Sequence, residues 1–332
     1  MRIRTLALSL AGTLAAFAAM AQPSPPVPQA PQAAPAGQFA LEAASPEFWD
    51  LVDQNASLEK VATGFSFTEG AVWDEKGGFL YVSDEDQNRV ARVYPDGRVE
   101  TVLRIGDPDG ATFDQHHRLV ETASVLRAMI RVAPDGTYEI LAERYDGKKL
   151  NSPNDVVLGP DGALYFTDPT LDLVKGETQE LAYQGIFRMT DAGALKLLTT
   201  DVAVPNGIAF SPDGTRLYVN DTRAKNIRVY DFAEGEIKNG RFFAQEGPGR
   251  GGPDGMKVDV AGNVWVTGPG GVWVFDANGK HLGTIKLIEP AANFAWGDAD
   301  FSTLYFCGRS SLYRLKMKVK GFVPYIAYAK TP

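Results

Sequence analysis

Six short segments of the chain repeat one pattern, in which a polar residue is followed 11 or 12 positions later by the second residue of an apolar pair. The pairs are Leu80-Tyr81, Leu119-Val120, Leu164-Tyr165, Leu217-Tyr218, Val264-Trp265 and Leu304-Tyr305. The polar residues that open the repeats are Glu69, Asp109, Asn154, Asn206, Asp254 and Asn293. Successive pairs lie 39, 45, 53, 47 and 40 positions apart, and strand-rich repeats of this length are typical of a β-propeller. In a propeller the innermost strand of every blade starts at the same end of the central channel, so the six opening side chains are expected to point at one place on its axis.

The third repeat shows how one blade is expected to form. An apolar run at residues 156–158 is followed by a tight Gly-Pro-Asp-Gly turn and a returning apolar run at residues 163–166. A second hairpin follows in most repeats, for example at the Pro-Asp-Gly of residues 95–97. Two hairpins make a four-stranded antiparallel blade, so the chain is predicted to be an all-β, six-bladed propeller with a central metal site. The longest loop at the predicted metal end, residues 168–184, is the expected lid.

The N-terminal region is predicted to lie outside the propeller. Residues 1–21 combine Arg2 and Arg4, an apolar run and an Ala-Met-Ala cleavage pattern, which predicts a Sec-type signal peptide cut after Ala21 and a periplasmic or secreted protein. A membrane anchor is the alternative, but the run is shorter than the ~20 apolar residues that a bilayer requires. Residues 22–38 are rich in proline and predict a disordered linker. The propeller is assigned to residues 39–332, with a short helix near residues 46–52.

Charge and cysteine content narrow the possible partners. The formal net charge is −8 and there is no basic run, so neither nucleic acid nor, after signal cleavage, a membrane is an expected partner. Cys307 is the single cysteine of the sequence, so an intramolecular disulfide is impossible. His116, His117 and His281 fall in or near turns that are predicted to lie away from the metal end, which disfavours a histidine-ligated zinc or a Ser-His-Asp triad.

The six opening side chains contain carboxylates and amides only. Such oxygen ligands favour calcium, magnesium or manganese over a thiolate type of zinc site. Glu69 and Asp254 would neutralise one divalent ion, which leaves Asp109 for a substrate or as a spare charge. An alternative interpretation is that the polar-Gly dipeptides of the repeats are ordinary turn sequences.

Four segments around these residues resemble the gluconolactonase / senescence marker protein (regucalcin) / luciferin-regenerating enzyme family. They are the motifs at residues 67–73, 150–155, 204–210 and 252–259. The resemblance implies a six-bladed propeller with one divalent ion, usually calcium, although zinc, magnesium or manganese remain possible. It implies metal ligands at Glu69, Asn154, Asn206 and Asp254. It also implies hydrolysis of a small-molecule sugar lactone, with Asp254 as the catalytic proton-transfer group.

Asp109, Asn151 and Asn293 are the expected substrate contacts beside the ion. Asp109 departs from the family, in which an asparagine is usual, so the identity of the substrate is the open question. Three arginines, Arg127, Arg223 and Arg309, lie in or near loops at the same end and could meet an anionic group. Two alternatives stay open: the same site acting on another lactone, ester or organophosphate, and a non-catalytic propeller pinned by calcium that binds a sugar or a protein.

Overall fold

A computed structural model describes residues 37–328, and the predicted signal peptide and almost all of the linker lie outside this range. The first elements are strand β1 (Ala40–Ala43), helix α1 (Phe48–Leu51) and strand β2 (Glu59–Thr63). Blade 1 contains β3 (Thr68–Asp74), β4 (Phe79–Asp84), β5 (Arg89–Val93) and β6 (Val99–Arg104), with a 3-10 turn at Glu85–Gln87. Blade 2 contains β7 (Pro108–Phe113), β8 (Leu119–Ala123), β9 (Ala128–Val132) and β10 (Tyr138–Ala142).

The remaining blades follow in chain order. A two-stranded hairpin, β11 (Arg144–Tyr145) and β12 (Lys148–Lys149), precedes blade 3. Blade 3 contains β13 (Val156–Leu158), β14 (Leu164–Asp168), β15 (Gly185–Met189) and β16 (Leu195–Thr199). Blade 4 contains β17 (Pro205–Phe210), β18 (Arg216–Asp221), β19 (Asn226–Ala233) and β20 (Glu236–Gln245). Blade 5 contains β21 (Met256–Val258), β22 (Val264–Gly268), β23 (Gly271–Phe275) and β24 (His281–Lys286). Blade 6 contains β25 (Ala291–Gly297), β26 (Thr303–Gly308) and β27 (Ser311–Lys316), and helix α2 spans Pro324–Ala327.

Apart from the hairpin β11–β12, these strands form six antiparallel sheets of four or five strands, which confirms the predicted six-bladed propeller. Two pairings join distant parts of the chain. Strand β2 pairs with β27 and supplies the fourth strand of blade 6, so the N-terminal segment closes the ring. Strand β1 pairs with β24 and gives blade 5 a fifth strand. The sequence analysis anticipated neither pairing.

The apolar pairs of the six repeats all lie on the second strand of a blade, where their side chains pack between neighbouring sheets. Trp265, Tyr165, Tyr218 and Tyr305 are the second residues of four pairs and are among the largest fully buried side chains. The hydroxyl of Tyr165 donates to Asp161 Oδ2 at 3.0 Å, so an acid of the turn between the first two strands satisfies a buried phenol. That turn therefore has a structural role, as its position away from the metal end predicts.

The C-terminal segment covers the lower end of the channel, which is the end where the inner strands finish. Tyr325 of α2 donates from its hydroxyl to the carbonyl of Trp73 at 2.6 Å, and the backbone N–H of Phe322 donates to Val258 O at 3.0 Å. The six opening residues lie at the upper end of the channel, where the inner strands begin. None of the helices in residues 37–328 is long and apolar enough to cross a membrane.

Candidate metal centre

The backbone leaves regular pairing at the opening residue of the repeats. The register between the first two strands shifts at Glu69 in blade 1, next to Asp109 in blade 2 and at Asn293 in blade 6. The first two strands of blade 3 begin regular pairing only at Val156, two positions after Asn154. A bulge re-aims the side chain that it carries, so the irregularity turns these side chains toward the channel.

The glycine that follows most opening residues is required by the next blade. A Cβ at Gly70 would lie 1.8 Å from the carbonyl oxygen of Asp109, and one at Gly207 would lie 2.1 Å from the carbonyl oxygen of Asp254. Inner strands therefore approach each other at distances that only glycine allows. The polar-Gly dipeptides lie within closely packed inner strands or, at residues 254–255, directly before one, and they are not ordinary turns, which removes the alternative interpretation.

The six opening side chains, here called the ring, associate as three pairs of one acid and one amide from neighbouring blades. Asn293 Nδ2 donates to Glu69 Oε2 at 2.7 Å. Asn154 Nδ2 donates to Asp109 Oδ2 at 2.5 Å. The Asn206 side chain lies beside the Asp254 carboxylate and stabilises its charged form. Five of the ring residues are buried and Asp254 is half-buried, so the structure brings together at one end of the channel the residues that the repeats predicted.

Burial and mutual repulsion raise the pKa values of the acids in the ring. The pKa of Glu69 is well above its usual range because the carboxyl is desolvated and lies near Asp254. The pKa of Asp109 is also well above its usual range because of desolvation and the neighbouring Glu85. Desolvation raises the pKa of Asp254 to about 7, although the Asn206 contact opposes the shift. The ring is thus a place where several carboxylates can be ionised together only with a compensating cation.

Two further acids join the ring from loops and were missed by the sequence analysis. Glu85 lies in the 3-10 turn after β4, and its carboxylate comes within 4.8 Å of oxygens of Glu69 and Asp109. Asp172 lies in the predicted lid; its backbone N–H donates to Ser152 Oγ at 3.2 Å, and its pKa is raised to about 6 by burial and by Asp107. Neither acid occupies a repeated position, so only their acidic character in loops at the upper end could have drawn attention to them.

Asn151, which was an expected substrate contact, uses its amide group to hold the base of the lid. Its Nδ2 donates to the carbonyls of Asp168 at 3.0 Å and Tyr183 at 2.9 Å. Its Oδ1 is buried without a hydrogen-bond partner among the described residues. The amide nitrogen is therefore engaged within the protein, and only the oxygen remains for a ligand.

The arginines that were candidates for binding an anionic group are either engaged within the protein or exposed. Arg127 is buried, and its guanidinium donates to the carbonyls of Leu150 at 2.7 Å and Thr178 at 3.3 Å, which ties the lid to blade 2. Arg223 and Arg309 are exposed. Arg127 is therefore a structural link to the lid.

The histidines lie away from the ring, as predicted. His117, in the turn between β7 and β8, is stacked on Phe113 with ring centroids 4.2 Å apart and contacts Asp74 Oδ1 at 3.3 Å. It is half-buried. His116 lies in the same turn as His117, and His281 lies at the start of β24. The ring therefore has oxygen ligands and no imidazole among the described residues.

The donor set of the ring fits a hard divalent cation. Glu69 Oε2 accepts from Asn293 and from the N–H of Gly70, whereas Glu69 Oε1 is buried with no hydrogen-bond partner among the described residues. A buried carboxylate oxygen without a donor is costly, and a cation would satisfy it. Carboxylate and amide oxygens are the ligands that calcium, magnesium and manganese prefer.

The chain is similar to known lactonases over most of its length. A profile of the SMP-30/Gluconolactonase/LRE-like region matches residues 67–308. A gluconolactonase of Zymomonas mobilis is 31% identical over 308 residues, which cover 83% of this chain and 86% of that protein. A pentonolactonase of Haloferax volcanii is 28% identical over 74% of this chain and 82% of its own length. The solved structure of a gluconolactonase from Xanthomonas campestris covers 86% of this chain and 99% of its own, with 32% identity and a TM-score of 0.78. The chain therefore belongs to the SMP-30/gluconolactonase/LRE-like family.

Proposed function

We propose that this protein is a metal-dependent hydrolase of sugar lactones, with the ring as its active site. The observation that carries the proposal is the convergence of three acid-amide pairs from six blades around an unsatisfied oxygen of Glu69. The gluconolactonases and the pentonolactonase that the chain resembles support a lactone as the substrate class.

Glu69, Asn154, Asn206 and Asp254 are the proposed ligands of one divalent ion, calcium before zinc, magnesium or manganese. When bound, such an ion polarises a carbonyl and acidifies water. Asp254 is the proposed proton acceptor from the attacking water, and it returns the proton to the ring oxygen of the lactone as the ester bond breaks. The asparagine contact at Asp254 favours the charged form that this role requires.

Asp109 and Asn293 are the proposed contacts for substrate hydroxyl groups, joined by Asp172 from the lid. Carboxylate oxygens accept hydrogen bonds from hydroxyl groups. Asp109, Glu85 and Asp172 together make the upper end of the channel acidic. The site therefore suits a neutral, polyhydroxylated lactone and disfavours one that carries a carboxylate or phosphate.

The test is a pH-stat screen with metal-stripped protein that is reloaded with calcium, zinc, manganese or magnesium. We expect lactone hydrolysis to disappear on chelation and to return with at least one of these ions. Chelation should also lower the melting temperature, because an ion that binds only the folded state stabilises it. Metal binding without turnover of any lactone, ester or organophosphate would support the non-catalytic alternative, and turnover that survives complete chelation would contradict the proposed mechanism.

The sequence features of residues 1–38 support a periplasmic or secreted location with a cleaved signal peptide. Expression of the full chain should give a mature protein that starts at Gln22, and N-terminal sequencing of that protein checks this.

A further inference from the structure

Lys257 brings a positive charge into the channel just below the ring. It lies in β21, three positions after Asp254, where the equivalent positions of the other blades carry neutral residues. Those residues are Val72, Thr112, Val157, Ala209 and Trp296. Lys257 also lines a cavity of about 50 Å³ among the inner strands, together with residues of α2. The neutral side chains at this position in five blades indicate that the fold itself does not require a cation there.

The ammonium group of Lys257 contacts two residues next to the ring. Its Nζ donates to Asn293 Oδ1 at 3.2 Å and lies 4.0 Å from Asp155 Oδ2. It also lies 6.0 Å from the centroid of the Phe294 ring. Asp155 is buried and accepts from the backbone N–H groups of Val156 and Ile208, so its carboxylate is already held by the backbone.

The contact with Asn293 fixes which way the amide of that residue points. Asn293 Oδ1 accepts from Lys257 Nζ and from the N–H of Phe294, so both groups facing this oxygen are donors. The amide nitrogen must then face the other way, where it donates to Glu69 Oε2 at 2.7 Å. The hydrogen-bond chain from Lys257 through Asn293 leaves Glu69 Oε1 as the free oxygen of that carboxylate.

We propose that Lys257 is a positioning residue for the metal ligand Glu69 and acts through the Asn293 amide. This inference rests on the proposed function, because it concerns the ion that the ring is proposed to bind. Groups that orient a metal ligand typically change metal affinity by about 10–100-fold when they are removed.

The sign of the effect separates positioning from simple charge. A lysine near a divalent cation repels it, so loss of the charge alone would strengthen metal binding. Loss of the orientation of Glu69 would weaken it. A Lys257→Met substitution keeps most of the apolar volume of the side chain. It therefore shows whether the loss of charge or the loss of Glu69 orientation has the larger effect on metal affinity.

The experiment is a double-mutant cycle measured by calorimetric titration of metal-stripped protein with calcium. The variants are Lys257→Met, Asn293→Ala and the double substitution, with Lys280→Met as a control for an exposed lysine that pairs with Glu47. We expect Lys257→Met to weaken calcium binding about tenfold or more. It should have almost no further effect when Asn293 is already alanine, because the two residues act in series.

Loss of Lys257 also leaves Asp155 without its cation, which could destabilise the protein. The cycle is therefore repeated in an Asp155→Asn background, where the lysine substitution leaves no unpaired buried carboxylate. The same tenfold loss is expected there. Unchanged or tighter calcium binding by Lys257→Met in that background, or effects of Lys257→Met and Asn293→Ala that simply add, would overturn the inference. Failure of the unsubstituted protein to bind any of the four divalent ions would instead contradict the proposed function.

Discussion

Asp254 and Asn206 lie side by side in blades 5 and 4, and only the aspartate can take up a proton. Both side chains offer an oxygen to a cation, and the aspartate adds a negative charge and a site for a proton. The raised pKa of Asp254, about 7, shows how close the group lies to the range in which it can exchange a proton at neutral pH. A substitution of Asp254 can therefore separate the role of metal ligand from the role of catalytic base.

Asp254→Asn is expected to abolish lactone turnover, by about 100-fold or more, while calcium binding and the fold persist. The substitution keeps an oxygen for the cation and removes the proton acceptor. Initial rates in the pH-stat assay, together with calorimetric calcium titration, measure the two effects separately. Asp96→Asn, in an exposed hairpin turn, is the matched control and should keep full activity. Activity of the Asp254 variant within tenfold of the unsubstituted protein would exclude it as the base.

Asp109 is expected to set the preference for neutral substrates. Its carboxylate lies with Glu85 and Glu69 at the upper end of the channel, where an anionic substrate would be repelled. Asp109→Asn should reduce the preference for a neutral lactone over one that carries a carboxylate, mainly by lowering KM for the anionic lactone. Steady-state kinetics with both lactones and both proteins measure this. An unsubstituted enzyme that prefers the anionic lactone would reverse the argument.

Side chains on the second strand of one blade form hydrogen bonds to the inner-strand backbone of the next blade. Near the end of that strand, Thr122 Oγ1 donates to Asn154 O at 2.7 Å and Thr167 Oγ1 donates to Asn206 O at 2.8 Å. Asn220 Nδ2 donates to Asp254 O at 2.6 Å. In blade 6 the position is taken by Cys307, whose thiol lies 3.7 Å from Glu69 O. The backbone of several ring residues is thus fixed by a side chain of the preceding blade.

Thr167→Val is expected to destabilise the protein by about 1–3 kcal/mol, because it removes the buried donor to Asn206 O. It should also weaken calcium binding, since Asn206 is a proposed ligand. Urea unfolding and calcium titration measure the two effects. Thr215→Val, at an exposed turn position, should change the stability by less than about 0.5 kcal/mol. A stability change no larger than that of the control would show that the contact contributes little.

The elements that repeat were predictable, and those that do not repeat were not. The ring and the apolar pairs recur at one register, so six weak signals supported each other. Glu85 reaches the ring from a loop of blade 1 and Asp172 from a loop of blade 3. Neither acid occupies a repeated position, so the periodic pattern of the sequence could not predict these contacts. The use of the amide of Asn151 at the base of the lid depends on Asp168 and Tyr183, and no spacing in the sequence specifies that contact.

For the whole molecule, the crowded acids make stability depend on pH and on metal together. The pKa values of Glu69, Asp109, Asp172 and Asp254 are all raised in the folded protein. Their contribution to stability is fully present below the unfolded pKa values, near 4, and is lost as the pH rises through the folded values. The metal-free protein should therefore melt at a lower temperature at pH 8 than at pH 6. Calcium should raise the melting temperature more at pH 8, and differential scanning calorimetry at both pH values with and without calcium checks this. An equal calcium effect at both pH values would contradict it.

Closure of the ring depends on a strand that is distant in sequence from its partner. Strand β2 pairs with β27 across about 250 positions, as in the contact of Glu59 with Arg314, whereas β1 only adds an outer strand to the complete blade 5. Loss of β2 would leave blade 6 with three strands and expose the edge of β27. Loss of β1 would uncover the edge of β24 but leave four strands in blade 5. The two N-terminal strands should therefore contribute differently to the stability of the propeller.

A chain that starts at residue 44, and so lacks β1, is expected to fold and to bind calcium with unchanged affinity. Its melting temperature should fall by only a few degrees, at about 2–4 °C for each kcal/mol lost. A chain that starts at residue 65 also lacks α1 and β2, and it should lose cooperative unfolding and calcium binding, because Glu69 and Asn293 belong to the two blades that β2 holds together. Calorimetry and calcium titration of both chains, with residues 22–332 as the reference, provide the comparison. Cooperative melting of the shorter chain within a few degrees of the reference would show that the ring closes without β2.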